Sequence, residues 1–361
     1  MLAARRFEQT GQRNEAGTIA FTRESFLDAL LAGRQSRALH GATVNRRNPP
    51  DKHHDPPLRT PDFPSKPRLM IRIDLQVDLT YEVDGLGADF IFNIHAAHTP
   101  CQTVVAEYLS LSQPIPQPMH TDPATGNRYM YVHADPGTLL LSYTATVDLA
   151  HHFADPGQIA EVPVRHLPPE VIGYIYPSRY CQSDRLLKLA TNAFGRLSQG
   201  YSRVQAIQDW VKRHVTFTLH SSNTNTSAVD TLIEQVGVCR DFAHLMIALC
   251  RAINIPARFA TGTDYGADPT LGPPDFQAYV EVYLGDRWYI FDPSGTGIPM
   301  GFVRFGTGRD AADVSFATMF GGVRSHAAVI RAVAIDDQAQ GLVLPQHCRE
   351  ALSTDSGRAG P

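Results

Sequence analysis

The sequence predicts an α+β chain in which an antiparallel β domain precedes a block of helices and a second antiparallel sheet. Three observations predict it. Apolar residues alternate with period two from Ile71, helical spacing takes over from Ser183, and short apolar runs divided by turn residues return after residue 257.

Residues 1–69 read as a disordered extension with one marginal helix. They are polar, carry Asn48-Pro49-Pro50, Pro56-Pro57 and Pro64, and show a single apolar patch around Phe26, Leu27, Leu30 and Leu31. His53-His54-Asp55 has metal-ligating types, but an unstructured polar tail is the favoured account. Over 70–150, Ile71, Ile73, Leu75, Val77, Leu79, Tyr81 and Val83 mark a long half-buried strand. Phe90, Phe92 and Ile94 repeat the signal, as do Leu139, Leu141, Tyr143, Ala145 and Val147.

A proline-containing connector spans 151–182, and a second domain spans 183–335. Ser183 is placed to cap a helix with the stripe Leu186, Ala190, Ala193, Phe194 and Leu197. Ser202-Arg203-Val204-Gln205 has capping-box form and opens a second helix. A third short helix carries Val229, Leu232, Ile233 and Val236 and is stopped by Gly237, and a fourth runs from Cys239 to Ala252. Strands follow at about 257–262, 278–284 and 287–292, and 336–361 reads as a tail.

The 361 residues are 43% hydrophobic, carry a formal charge of -4 and contain no apolar run long enough to span a bilayer. Neither a membrane protein nor a nucleic-acid binder is expected, since no basic face is available for phosphates. The N-terminus lacks the apolar segment of a secretory signal. Cys101, Cys181, Cys239, Cys250 and Cys348 are scattered, with neither a disulfide framework nor zinc spacing, so a cytoplasmic protein without cofactor or metal is expected.

Cys239 is the one cysteine set for chemistry. It falls in the first turn of a helix, where unpaired N–H groups and the helix dipole favour a thiolate. A small buried residue at a helix start is the alternative, as Cys250 is further along the same helix. Leu284-Gly285-Asp286-Arg287 suits a two-residue hairpin turn, which places Tyr279 opposite Asp292. Gln277 then shares a face with Asp292, diagonally adjacent and within about 7–8 Å.

Three stretches carry a family resemblance. The run from Gly237 to Leu245 continues into Ile255-Pro256-Ala257-Arg258-Phe259. The second is Asp275-Phe276-Gln277-Ala278-Tyr279-Val280-Glu281-Val282-Tyr283-Leu284-Gly285, and the third is Arg287-Trp288-Tyr289-Ile290-Phe291-Asp292-Pro293. Together they resemble the bacterial transglutaminase-like family of the papain-like superfamily, over about 70–333, with the N-terminal β domain many members carry. Ser178-Arg179-Tyr180-Cys181 and the segment Arg309 to Val314 match as well. The resemblance implies Cys239 as nucleophile and Asp292 as orienting carboxylate, with Gln277 in the position of the catalytic histidine.

A glutamine amide has no titrating nitrogen and cannot take the thiol proton. Loss of a triad member costs roughly 10⁴- to 10⁶-fold in rate. His244 is expected to pack in the helix, while His214 and His220 flank the strand-like segment Val215-Thr216-Phe217-Thr218-Leu219, and His220 sits where a loop could overhang the site, though nothing in the sequence requires it. Tyr180, Trp210, Tyr279 and Trp288 are core aromatics or cleft lining, Arg240-Asp241 an exposed pair or a solvated face, and the loop from Gly262 to Pro274 a gate or a plain connection. Two functions remain open. One is acyl transfer from an amide, ester or thioester through a Cys239 thioester, as hydrolase, peptidase or transamidase. The other is a non-catalytic module that binds a peptide or small acyl ligand.

Overall fold

The computed structural model describes residues 69–266 and 275–355. The first sheet contains β1 (Ile71–Phe92), β2 (Gln102–Leu111), β3 (Met119–Thr121), β4 (Arg128–Ala134), β5 (Gly137–Leu149), β13 (Ala317–Ser325) and β14 (Val329–Ile335). Its spine is β1, whose alternation buries every second side chain from Ile71 to Val83. At 22 residues β1 outruns each partner, so its edges are shared. β5 pairs Ile71–Val83 and β4 pairs Ala88–Phe92, while β14 pairs Arg72–Asp78 and β13 pairs residues between Tyr81 and Phe92.

This corrects the expected boundaries. Residues 317–335, placed by sequence in the second domain, complete the first sheet. Local alternation marks a strand but not its distant partner, which is why the return was not foreseen.

A short parallel pair, β7 (Thr216–Phe217) with β8 (Val236–Gly237), leads up to Cys239. The second sheet has the order β11-β10-β9-β12, all antiparallel, from β9 (Ala257–Asp264), β10 (Gln277–Leu284), β11 (Arg287–Phe291) and β12 (Phe302–Gly308). Strand alternation splits β10 between two cores. Ala278, Val280, Val282 and Leu284 pack with the helices, whereas Tyr279 joins Ala260, Ile290, Phe302, Val303 and Phe305 against the β1 core. The β10–β11 turn has positive φ at both Gly285 (51°) and Asp286 (64°), the conformation of a type I′ hairpin.

Five helices lie among the described residues: α1 (Pro169–Ile172), α2 (Ser183–Phe194), α3 (Tyr201–His214), α4 (Ala228–Glu234) and α5 (Cys239–Ala252). Several expected ends shift. Ser183 lies inside α2 rather than capping it. α3 begins at Tyr201 because Gly200, at φ 135°, makes the approach turn, and its N–H donates to the Glu161 carboxylate that also pairs with Arg203. The capping box of this region is Ser227 with Asp230, at α4, which ends at a left-handed Gln235.

β15 (Ala351–Ser353) pairs with β6 (His152–Ala154) and is buried, so the expected tail over 336–361 is not one at that point. Just beyond it, Thr354 and Asp355 reach an ion cluster behind the second sheet. There the fully buried Glu281 accepts from Arg258 Nε at 2.7 Å and from Arg304 Nη1 at 3.1 Å. All but the last residue of the expected extension over 1–69, with its His53-His54-Asp55 group, and most of the proposed gating loop (267–274) lie outside the described residues.

Candidate functional site

Cys239 opens α5, and what fixes that helix start is Asp241. Its carboxylate accepts the Val238 N–H at 2.9 Å and the Ser222 hydroxyl at 2.9 Å, and its side chain is buried. Gly237 is glycine because a Cβ there would sit 2.8 Å from the Asp241 Cβ. The expectation of an exposed Arg240-Asp241 pair is thereby corrected, since Asp241 is an internal cap. Arg240 turns outward to the 222–223 segment, donating to Asn223 O at 2.6 Å and to Ser222 Oγ. Cap and guanidinium together hold the loop that carries His220 beside the thiol.

The Cys239 side chain is half-buried at the floor of a cleft of about 720 Å³. One wall comes from Phe217, Leu219, His220 and Ser222. The other comes from Val314, Ser315, Phe316 and Ala317, with Ala327 and Ala328 between β13 and β14, so strands of the first sheet help close the site. Phe276, Gln277 and Ala278 enter from the start of β10. Phe316 stacks on Phe276 with centroids 4.2 Å apart, and its carbonyl accepts the Asn93 N–H at 3.0 Å.

The sulfur donates weakly to the Phe276 carbonyl at 3.8 Å, as a thiol does. Burial pushes the Cys239 thiol up to about 12. The carboxylates of Asp275 and Asp241 add to that rise, and the Ala278 and Arg240 N–H groups oppose it. The expectation that the helix terminus favours a thiolate is corrected: desolvation outweighs the dipole here.

Cys239 and Gln277 thus share the cleft, while Asp292 does not line it. The β10–β11 register runs Leu284 to Arg287 and Val280 to Phe291, so its continuation sets Asp292 across from Tyr279. Yet the Asp292 carboxylate turns into its own loop. It accepts Ser294 N–H (3.0 Å), Ser294 Oγ–H (2.6 Å), Gly295 N–H (2.9 Å) and Gly297 N–H (3.2 Å). Among the described residues no hydrogen bond joins it to Gln277, whose carboxamide is left open to the cleft. The expected Gln277–Asp292 pair is therefore not formed, because four nearer donors satisfy the carboxylate.

Residues 71–170 match the "Bacterial transglutaminase, N-terminal domain" and residues 188–293 the "Transglutaminase-like superfamily". The crystal structure of a candidate cysteine protease from Cytophaga hutchinsonii is 39% identical, covering 79% of this chain and 97% of its own at a TM-score of 0.72. The chain belongs to the transglutaminase-like superfamily. An uncharacterized protein of Mycobacterium leprae is 28% identical over 146 residues, which are 39% of this chain and 52% of that protein. One from Mycobacterium tuberculosis is 32% identical over 125 residues, 31% of this chain and 40% of that protein. The chain therefore spans about half or less of the curated relatives it matches.

Within this transglutaminase-like fold the remaining candidates have structural places. His244 is fully buried, stacks on Tyr180 with centroids 5.0 Å apart, and accepts the Ala311 N–H at Nε2, 3.2 Å. Burial, with Arg240 and Arg251 nearby, holds it well below the ordinary imidazole range, hence neutral. His214 stacks on Trp210 and is outside the cleft. Tyr180, Tyr279 and Trp288 are buried core aromatics, with Tyr279 bonded to Asp264 and Trp288 under Arg258, while Trp210 is half-buried and packs against the helical core. The two flanking motifs meet: the Tyr180 N–H donates to Asp310 at 2.9 Å, and Arg251 reaches Ser178 Oγ and the Arg309 carbonyl. Sequence reasoning missed Phe316, Ala327 and Ala328, which had no motif around them and enter only through the β13–β14 return.

Among the described residues no cluster of three or more His, Cys, Asp or Glu could hold a metal, and no helix is long and apolar enough to cross a membrane.

Proposed function

We propose that this transglutaminase-like cleft binds a peptide-like amide chain across Cys239 and that its acyl-transfer chemistry is crippled. One observation carries the reading: Gln277 faces the cleft beside Cys239 where a proton acceptor is needed. A carboxamide can pair with an amide but cannot accept the thiol proton. The half-buried thiol supports the same reading, since at about 12 it holds only about 10⁻⁵ of its population as thiolate near pH 7.

A second reading keeps the enzyme. Cys239 at a helix N-terminus inside a cleft is the arrangement for thioester formation, and His220 lines that cleft. In that case a hydrolase, peptidase or transamidase reaction would pass through Cys239. Thiol labelling followed against pH separates them: reaction at Cys239 that already levels off near neutrality supports the enzyme, whereas a rate still climbing above about pH 9 supports the binding module. Loss of any measured turnover in Cys239→Ala is required by the enzyme reading. For both, the dispersed cysteines suit a reducing compartment such as the cytoplasm.

A further inference from the structure

We infer that the ligand of this cleft is an uncharged peptide segment with a bulky apolar side chain, its backbone amide held by Gln277; this rests on the cleft's binding a peptide-like chain. Four observations carry it. Phe276 and Phe316 stack at the β10 side, and Phe316 remains 39% exposed although aromatic. Leu219, on the facing loop, is 50% exposed. Ala327, exposed, and Ala328, half-buried, line the same cleft, so apolar surface meets solvent inside a concavity, where a ligand would cover it.

The charges argue in the same direction. Arg240 is taken up by Ser222, Asn223 and Asp241, leaving it poorly placed to pair with a ligand carboxylate. Asp275, a lining carboxylate, lies in the field of the thiol. His220, a third titratable lining group, sits exposed on the opposite loop. Among the described lining residues an acidic ligand finds no open Lys or Arg and a basic one finds a single carboxylate, the exposed Asp275, whereas the Phe276–Phe316 stack and Leu219 offer an apolar side chain most of the surface.

Gln277 supplies the polar complement. Its carboxamide offers a carbonyl acceptor and an N–H donor, the set that a backbone amide satisfies in both directions. A glutamine left open to an apolar cleft thus reads an amide as a ligand group rather than a proton.

The test uses the full chain and three fluorescein-labelled, end-capped tripeptides, Ala-Phe-Ala, Ala-Lys-Ala and Ala-Glu-Ala, followed by anisotropy. The phenylalanine peptide is expected to bind at least about tenfold more tightly than either charged one. Gln277→Leu and the exposed-site variant Leu219→Asp should each cut that affinity about tenfold, with folding checked by circular dichroism. Equal binding of all three peptides, or retention of affinity in both variants, overturns the inference while leaving peptide binding intact. No binding by any peptide to the parent chain overturns both.

Discussion

Returning a base to position 277 tests how far the cleft is from a working thiol site. With the Cys239 thiol at about 12, the thiolate fraction at about pH 7.5 is roughly 3 × 10⁻⁵. If Gln277→His brought the thiol back to an ordinary value of about 8.5, the thiolate would rise about 3,000-fold. Each thiolate would also become less nucleophilic, by about 50-fold for a Brønsted coefficient near 0.5, leaving a net gain of roughly 50-fold. The assay is the rate of reaction with dithiodipyridine against pH, with a Cys239→Ser chain subtracting the exposed Cys348. The parent rate should climb through about pH 10 without levelling, and the variant should level near pH 9. An acceleration below about threefold, with no change in the profile, would show that the side chain at 277 does not address the sulfur.

Three further outcomes follow from the fold. Burial opposes ionisation of Glu281, but Arg258 and Arg304, with the Thr354 hydroxyl, hold it at about 2 instead of its ordinary 4.5. A depressed carboxylate contributes stability above its unfolded value, so about 3 kcal/mol should be present above pH 4.5 and disappear toward pH 2. Thermal melts of the parent and Glu281→Gln across that window check it, the variant having the flatter pH dependence. Arg251→Met should cost about 3 kcal/mol in urea unfolding, since it strands the carbonyls of Ala257, Tyr176 and Arg309. Leu352→Ala should cost about 2–4 kcal/mol by the same measurement if β15 is part of the core, and almost nothing if it is a tail.

Local pattern carried most of the second domain. The Cys239–Ala252 helix and the Leu284–Arg287 register agree with expectation because amphipathic spacing and a Gly-containing turn are encoded within a few residues. The failures lie where partners are distant in the chain. β13 and β14 join β1 from more than 200 positions away, and β15 meets β6 from about as far. No window of sequence contains both sides of such a pair. At the site, the residue types at 239, 277 and 292 were plain, but not where the Asp292 carboxylate would turn. That was decided by Ser294, Gly295 and Gly297, whose N–H groups lie within the same loop. The thiol failed for an energetic reason, because burial and the helix dipole act in opposite senses and sequence displays only the second.

The return of β13 and β14 to β1 also sets an order of events during synthesis. Cys239 and the whole of α5 leave the ribosome well before residues 314–328 that form the facing wall. A nascent chain therefore carries a half-built trough, and the groove closes only after residue 328 has been made. A core excised at residue 293 would keep the thiol and its helix but lose the lip opposite, so recombinant fragments cut by motif alone would report on a different, flatter surface.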